Sequence, residues 1–179
     1  KDRSTCVLFG DGAGAVVLGP GGDDRGILAF DLHGEGAYAE KLWVDAPGSM
    51  YHPRMSKELI DRGQHWLQMD GKEVFKHAVT RMPESVLAVL ERAGEKLQDL
   101  TLLVPHQANA RILDATAKKL GLPSDKVVMT VAEHANTSAA SVPLAFDTAV
   151  KDGRIKRGDV VVLEAMGGGF TWGAAALRY

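Results

Sequence analysis

Two uncharged polar side chains and a run of glycines each follow a short apolar segment, and together they could do chemistry. His106 lies in V-P-H-Q-A-N-A-R-I at 104–112, Asn136 begins N-T-S-A-A-S-V-P at 136–143, and glycines occupy 167–169. A neutral imidazole and a carboxamide both donate hydrogen bonds without carrying charge, which suits them to stabilise a developing oxyanion or enolate. A glycine there lets a backbone N–H approach a reacting carbonyl. The pattern favours oxyanion chemistry in a dry pocket.

Each of these residues also has a structural interpretation. A histidine that follows a strand is often a structural group whose hydrogen bonds are satisfied, and Asn136 before Thr137 and Ser138 could cap the next helix. A run of three glycines is weak evidence on its own. From the residue types and their order, both interpretations stay open.

The composition limits the class of protein. A chain of 179 residues with 45% hydrophobic residues can form one compact core, and a net charge of −2 gives no overall reason to bind nucleic acid or an anionic membrane. No apolar stretch of about 20 residues and no export signal occur, which favours a soluble, cytoplasmic protein. Cys6 is the one cysteine, so we expect neither a disulfide framework nor a thiolate metal site, and the histidines have no metal-like spacing.

Apolar runs of strand length alternate with helical spacing along most of the chain. The runs that predict strands are 6–9, 15–18, 26–32, 101–104, 127–131, 160–165 and 172–179. Helical spacing occurs over 71–93, which contains Pro83 and predicts one kinked helix or two adjoining ones, and over 108–120 and 138–150. The stretch 42–68 is interpreted as an excursion loop. The alternation predicts an α/β fold with a mixed, mainly parallel sheet, antiparallel hairpins at its ends and flanking helices.

The candidate residues follow three of the predicted strands. His106 follows 101–104, Asn136 lies in the loop after 127–131, and the glycines follow 160–165. Sites in open α/β sheets form where strands end and helices begin. We therefore expect the three to converge on one edge of the sheet.

Five segments, in order, resemble the carboxyl-terminal half of β-ketoacyl-acyl-carrier-protein synthase III, a thiolase-like condensing enzyme. They are D-R-S-T, L-F-G-D-G-A-G-A, V-P-H-Q-A-N-A-R-I, N-T-S-A-A-S-V-P and E-A-M-G-G-G-F-T-W-G, and the resemblance runs from Asp2 to Tyr179. It implies that residues 1–179 form one half of a duplicated thiolase-like fold. The amino-terminal half with the nucleophilic cysteine is then absent from this sequence, and we expect the chain to be a piece of a longer protein or one subunit of a split enzyme.

The resemblance implies a decarboxylating Claisen condensation that initiates fatty acid synthesis. In that family a cysteine takes an acyl group from acyl-CoA, here expected to be acetyl-CoA, and malonyl carrier protein loses CO2 and attacks the thioester. His106 and Asn136 match the catalytic histidine and asparagine, which donate hydrogen bonds to the malonyl thioester oxygen, and Gly168 matches the glycine of the oxyanion hole. No cofactor or metal is implied beyond the two thioester substrates. The full enzyme is expected to be a homodimer, and this chain alone to be inactive.

Further positions match residues that bind substrate in the family. Arg3 matches an arginine near the CoA adenine, the pantetheine channel is matched by Gly71, Phe75, Ala108, Asn109 and Ile112, and Arg111 matches an arginine linked to docking of the acyl-carrier protein. Lys118, seven residues after Arg111, lies on a similar helix face, and carrier proteins are acidic. The alternative for Arg111 is an ordinary solvated side chain.

Cys6 is not assigned as the nucleophile, because it lies in a predicted buried strand whereas a reactive thiolate needs partial exposure and a positive neighbour. Two departures from the family pattern stand out. His134 and Ala135 replace a glycine-containing approach to the N-T-S motif, which leaves the loop conformation open, and 49–68 is longer than the usual family loop, which leaves the choice of acyl group open.

Two other functions remain open. One is a related condensing enzyme with another acyl or aryl starter. The other is a non-catalytic homologue that binds carrier protein as a regulatory or scaffolding partner.

Overall fold

A computed structural model describes residues 5–22 and 25–179. Its strands are β1 (Gly26–Gly34), β2 (Leu42–Trp43), β3 (Gln68–Met69), β4 (Leu100–Pro105), β5 (Val160–Gly167) and β6 (Thr171–Arg178). Its α-helices are α1 (Lys57–Asp61), α2 (Gly71–Arg92), α3 (Ala110–Leu120), α4 (Val131–His134) and α5 (Ser141–Lys151). Arg3, which the resemblance assigns to CoA binding, lies outside the described residues. No helix within them is both long and apolar enough to span a bilayer.

The main sheet has the strand order β1-β6-β5-β4, and a separate ribbon pairs β2 with β3. β4 and β5 are parallel, whereas β6 is antiparallel to both β5 and β1. The mixed α/β sheet is confirmed, but the expectation that parallel pairs predominate is corrected. The reason lies in the connections: β4 reaches β5 through helices, whereas a short glycine-containing loop turns β5 back into β6 as a hairpin.

Helices pack on both faces of the sheet but leave Phe30 and Leu32 of β1 exposed. α2 and α3 pack on one face in a core cluster that includes Val86, Leu90 and Val162, and α5 packs on the other with Ala145 and Val161. Successive residues of β5 thus enter opposite clusters, as the two-residue period of a strand requires. Burial on both faces explains why 160–163 reads as an unbroken apolar run.

The predicted helices 71–93, 108–120 and 138–150 are present with slightly different ends. α2 is one helix with Pro83 inside it. Asn109 caps the N-terminus of α3, since its Oδ1 accepts the Ile112 N–H at 3.0 Å. Gly121 ends α3 in the left-handed conformation, with φ 67°. The excursion 42–68 is mostly irregular, as predicted, with α1 inside it and β2 and β3 at its ends.

The predicted strand 127–131 is wrong, and a buried glutamine explains why. Val127 makes a single bridge to Leu103, and the chain then turns into α4. Gln107, which is fully buried, donates from Nε2 to the carbonyl of Val128 at 3.0 Å and accepts the Thr130 N–H at Oε1 at 2.7 Å. One side-chain amide satisfies the groups that a strand ladder would otherwise have satisfied.

The predicted buried strands 6–9 and 15–18 are also wrong. Phe9 makes one bridge to Asn136, and Val17 is 98% exposed. The glycines between them serve close contact rather than a hairpin turn: a Cβ on Gly14 would lie 2.3 Å from Pro143 Cγ. Cys6 is exposed. The expectation that Cys6 is buried in a strand, on which its rejection as the nucleophile rested, is therefore wrong.

Glu164 is an acid in the interior of β5. Its side chain is 2% exposed, and neither carboxyl oxygen has a hydrogen-bond partner within residues 5–22 and 25–179. Burial raises the pKa of the Glu164 carboxyl well above its usual value. The folded state therefore favours the protonated acid.

We expect Gln107→Leu to lower the free energy of unfolding by about 2–4 kcal/mol, because it leaves a buried N–H and a buried carbonyl unpaired. Urea unfolding measures the change. The control is Gln68→Leu on the exposed position of β3, which should stay within about 0.5 kcal/mol of wild type. Equal stability of the two variants would contradict the role given to Gln107.

We expect Glu164→Gln to stabilise the protein at neutral pH and to flatten its pH dependence. Below the unfolded-state pKa both states hold the proton. Above it, the unfolded state loses the proton while the folded state keeps it, so wild-type stability falls by up to about 1.4 kcal/mol per pH unit until the folded pKa is passed. Unfolding curves at about pH 5 and about pH 8 measure this slope. An unchanged slope in the variant would show that Glu164 is not the group responsible.

Candidate active site

A cavity of about 1730 Å³ opens at the carboxyl ends of β4 and β5. Nine of the predicted site residues line it: His106, Asn136, Gly168, Gly71, Phe75, Ala108, Asn109, Arg111 and Ile112. Cys6 is not among its lining residues. Strand ends and helix starts thus bring together residues that are up to 97 positions apart in sequence, from Gly71 to Gly168.

His106 follows the last residue of β4 and is held through both its main chain and its ring. Its N–H donates to the Glu164 carbonyl at 2.7 Å, and its ring Nδ1 lies 2.6 Å from Ser141 Oγ at the start of α5. The same Oγ accepts the Gln107 N–H at 3.1 Å. Burial lowers the pKa of the His106 imidazole, and a hydrogen bond with the backbone of Ser138 opposes this in part. Neutral imidazole is therefore favoured at neutral pH.

Asn136 is held by its backbone on both sides. Its N–H donates to the Leu8 carbonyl at 2.9 Å, and its carbonyl accepts the Gly10 N–H at 3.0 Å. Side-chain Oδ1 accepts the Ser138 N–H at 3.0 Å. Because an N–H must bond to an oxygen, this contact distinguishes Oδ1 from Nδ2 in the Asn136 carboxamide. Nδ2 carries the two N–H donors of the side chain.

The turn around Asn136 contains strained backbone. Ala135 has φ 58° and Ser138 has φ 53°, both in the region that glycine adopts readily. Each such non-glycine residue costs about 1–3 kcal/mol and persists only when its surroundings impose it. Here the segment through Gly10 passes so close that a Cβ on Gly10 would lie 2.8 Å from the His134 carbonyl oxygen. The loop that the sequence left open is thus a tight turn clamped by residues 8–10.

Gly168 lies in the loop between β5 and β6 against the backbone of β2. A Cβ on Gly168 would come within 2.5 Å of the Leu42 carbonyl oxygen, closer than any side chain tolerates. The Gly168 carbonyl accepts the Thr171 hydroxyl at 2.9 Å. Glycine is required here because two main-chain segments touch.

The starts of α2 and α3 form the walls of the cavity mouth. Gly71 and Phe75 come from α2, and Ala108, Asn109 and Ile112 precede or begin α3. Arg111 bridges the two walls, since its guanidinium lies 5.6 Å from the centre of the Phe75 ring. Arg111 and Lys118 are both exposed, and of the two Arg111 is the one that lines the cavity.

Sequence reasoning missed Ser141, Gln107 and Glu164. Each is a polar residue inside an otherwise apolar stretch, in A-A-S-V-P, V-P-H-Q-A and V-V-L-E-A. Buried polar groups need partners, so such interruptions signal specific contacts. In residues 5–22 and 25–179, no cluster of three or more His, Cys, Asp or Glu side chains could hold a metal ion.

Family models and curated relatives that match this chain carry the name 3-oxoacyl- or β-ketoacyl-(acyl-carrier-protein) synthase III. Residues 90–179 match the family model described as 3-oxoacyl-(acyl-carrier-protein) synthase III, C terminal, and residues 1–36 match the model of 3-oxoacyl-(acyl-carrier-protein) synthase III. The chain is 59% identical to a β-ketoacyl-(acyl-carrier-protein) synthase III of Sphingopyxis alaskensis, over 99% of this chain and 53% of that protein. It therefore spans about half the length of the curated relatives it matches.

Solved structures agree in fold. A 3-oxoacyl-(acyl-carrier-protein) synthase III from Aquifex aeolicus superposes with a TM-score of 0.88 at 46% identity, covering 100% of this chain and 53% of the other. A priming β-ketosynthase of a polyketide biosynthetic pathway superposes with a TM-score of 0.84 at 38% identity. The match covers 99% of this chain and 52% of the other. The fold is thiolase-like, as the sequence predicted. With one model matching half of its residues, the chain belongs to the 3-oxoacyl-(acyl-carrier-protein) synthase III family.

Proposed function

We propose that this chain supplies the carboxyl-terminal half of a β-ketoacyl-acyl-carrier-protein synthase III, which condenses an acyl-CoA, with acetyl-CoA as the expected starter, with malonyl carrier protein to begin fatty acid synthesis. The observation that carries the proposal is the meeting of His106, Asn136 and Gly168 in one cavity. Two neutral donors and a close-packed glycine are what an enolate and an oxyanion require.

His106 and Asn136 act on the malonyl thioester. The bond between its carboxylate carbon and its α-carbon breaks, CO2 leaves, and the electron pair forms an enolate with charge on the thioester oxygen. In this proposal Ser141 Oγ accepts the Gln107 N–H and donates its own proton to His106 Nδ1, which assigns the ring proton to Nε2. Nε2–H and the Asn136 Nδ2 donor then stabilise the enolate oxygen.

Gly168 acts on the other substrate. The α-carbon of the enolate attacks the carbonyl carbon of an acyl-cysteine, and the tetrahedral oxyanion accepts a hydrogen bond from the Gly168 N–H. Collapse expels the cysteine thiolate and leaves a β-ketoacyl thioester on the carrier. The close contact with the Leu42 carbonyl supports this role, because it fixes the main chain of Gly168.

The nucleophilic cysteine belongs, in this proposal, to an amino-terminal half such as the relatives have. Cys6 does not line the cavity. Support comes from exposed apolar side chains of β1, where Phe30 is 52% and Leu32 74% exposed, since both line the cavity on the face that a second half would cover. On the family resemblance, the full-length enzyme is a cytoplasmic homodimer.

The mouth of the cavity takes the substrate arms. The pantetheine chains of CoA and of the carrier pass between Gly71 and Phe75 on one wall and Ala108, Asn109 and Ile112 on the other. Arg111, exposed beside Phe75, meets the acidic surface of the carrier protein. No cofactor is required beyond these thioester substrates.

A second candidate is a priming synthase with another acyl starter. It is favoured by the likeness to the priming β-ketosynthase structure. A panel of acyl-CoA starters given to the full-length enzyme separates the two, since acetyl-CoA should be used best under the first proposal.

In the full-length enzyme we expect His106→Ala and Asn136→Ala each to slow malonyl decarboxylation by about 100- to 1,000-fold, as the loss of one oxyanion donor does elsewhere. Acylation of the cysteine by acyl-CoA should change by less than about threefold, because neither donor acts in that step. Release of CO2 and mass spectrometry of the acyl-enzyme measure the two steps.

The matched control is His134→Ala, which removes a histidine from the same turn that does not line the cavity. It should leave decarboxylation near the wild-type rate. Wild-type decarboxylation in His106→Ala and Asn136→Ala would refute the roles given to them.

A further inference from the structure

We propose that Lys41 and Asp70 are positioning residues that hold the oxyanion-hole glycine in place by anchoring it to the start of α2. The inference rests on the proposed function, since it assigns the pair to one of the two chemical steps. Neither residue contacts the reacting atoms. Each acts through a chain of main-chain contacts that ends at Gly168.

The first link is a double connection between Lys41 and Asp70. Lys41 Nζ lies 3.2 Å from Asp70 Oδ2, and the Asp70 N–H donates to the Lys41 carbonyl at 2.9 Å. Asp70 also caps α2, where its Oδ1 accepts the Glu73 N–H at 3.3 Å. The Glu73 N–H and the Lys41 ammonium lower the pKa of the Asp70 carboxyl, so the Asp70 carboxylate form is favoured at neutral pH.

The second link runs from Lys41 to the glycine loop. Leu42, the next residue, pairs with Met69 in the β2–β3 ribbon, and its carbonyl oxygen is the atom against which Gly168 packs. At the other end of the same segment, the Glu35 N–H donates to the Phe170 carbonyl at 2.7 Å. Residues 35–42 thus brace the glycine loop from both ends.

The third link is the helix that Asp70 caps. Gly71 and Phe75 begin α2 and form one wall of the cavity mouth. One aspartate therefore fixes the channel wall and, through Lys41 and Leu42, the oxyanion-hole loop. His106 and Asn136 are held by contacts that do not involve Lys41 or Asp70. Ser141 holds His106, and residues 8–10 hold Asn136.

Because Lys41 and Asp70 act on Gly168 and not on His106 or Asn136, we expect their loss in the full-length enzyme to affect one chemical step and not the other. Lys41→Met removes the ion pair, and Asp70→Ser removes it while serine retains the helix cap. Acylation of the cysteine by acyl-CoA also passes through a tetrahedral oxyanion, which in this proposal accepts the same Gly168 N–H. Because the pair is about half-exposed, we expect each variant to slow this acylation by about 3- to 5-fold. The double variant should be no slower than either single one. Decarboxylation should change by less than about twofold.

The matched control is Arg154→Met, which breaks the pair with Asp152. The two pairs have similar side-chain exposure, 38% and 42% for the control against 44% and 40% for Lys41 and Asp70. Lys41 and Asp70 adjoin the cavity-lining residues Leu42 and Gly71, whereas Asp152 and Arg154 follow α5 and adjoin no lining residue. The control variant should leave both steps unchanged. Equal losses in both steps for Lys41→Met, or unchanged acylation, would overturn the proposal.

A second measurement does not depend on activity. Hydrogen exchange of residues 167–170 should be about 3- to 5-fold faster in Lys41→Met and Asp70→Ser than in wild type, and unchanged in Arg154→Met. If the wild-type enzyme shows neither chemical step, the proposed function fails and the exchange result alone decides the positioning role. Unchanged exchange in both variants would refute it.

Discussion

The hydroxyl of Ser141 is the contact on which the geometry of the site depends. It lies 2.6 Å from His106 Nδ1 and accepts the Gln107 N–H, and so joins the first turn of α5 to the two residues that follow β4. Gln107 extends the connection to Val128 and Thr130, just before the turn that carries Asn136. A single buried oxygen thus relates the two proposed donors to each other.

Close main-chain contacts do the same for the rest of the site. Gly14 allows Pro143 to approach, Gly10 allows the Asn136 turn to close, and Gly168 allows the Leu42 carbonyl to approach. Positive φ at Ala135 and Ser138 is the cost of that turn. Contacts between backbones vary less with side-chain motion than contacts between long side chains, so the donors are held before substrate arrives.

Much of this was predictable from local patterns. Helical spacing gave α2, α3 and α5, and the position of His106, Asn136 and Gly168 after apolar runs predicted that they converge. The strand expected at 127–131 does not form, because the side chain of Gln107 bonds to the backbone groups that a neighbouring strand would have bonded. A contact with a residue 21 positions away cannot be recognised from the local pattern. The strands expected at 6–9 and 15–18 failed because a short apolar run forms a strand only beside a partner strand. Glu164 was missed because its importance depends on burial rather than on spacing.

In the proposed mechanism His106 acts as a neutral hydrogen-bond donor. The direct test is a nitrogen-15 NMR titration of the full-length enzyme with labelled histidine, which reports the pKa of His106 and which ring nitrogen carries the proton. We expect a pKa below the usual value of 6.5, because the ring is largely buried, with the proton on Nε2. An imidazole that titrates at or above that value, or that carries its proton on Nδ1, would contradict the account.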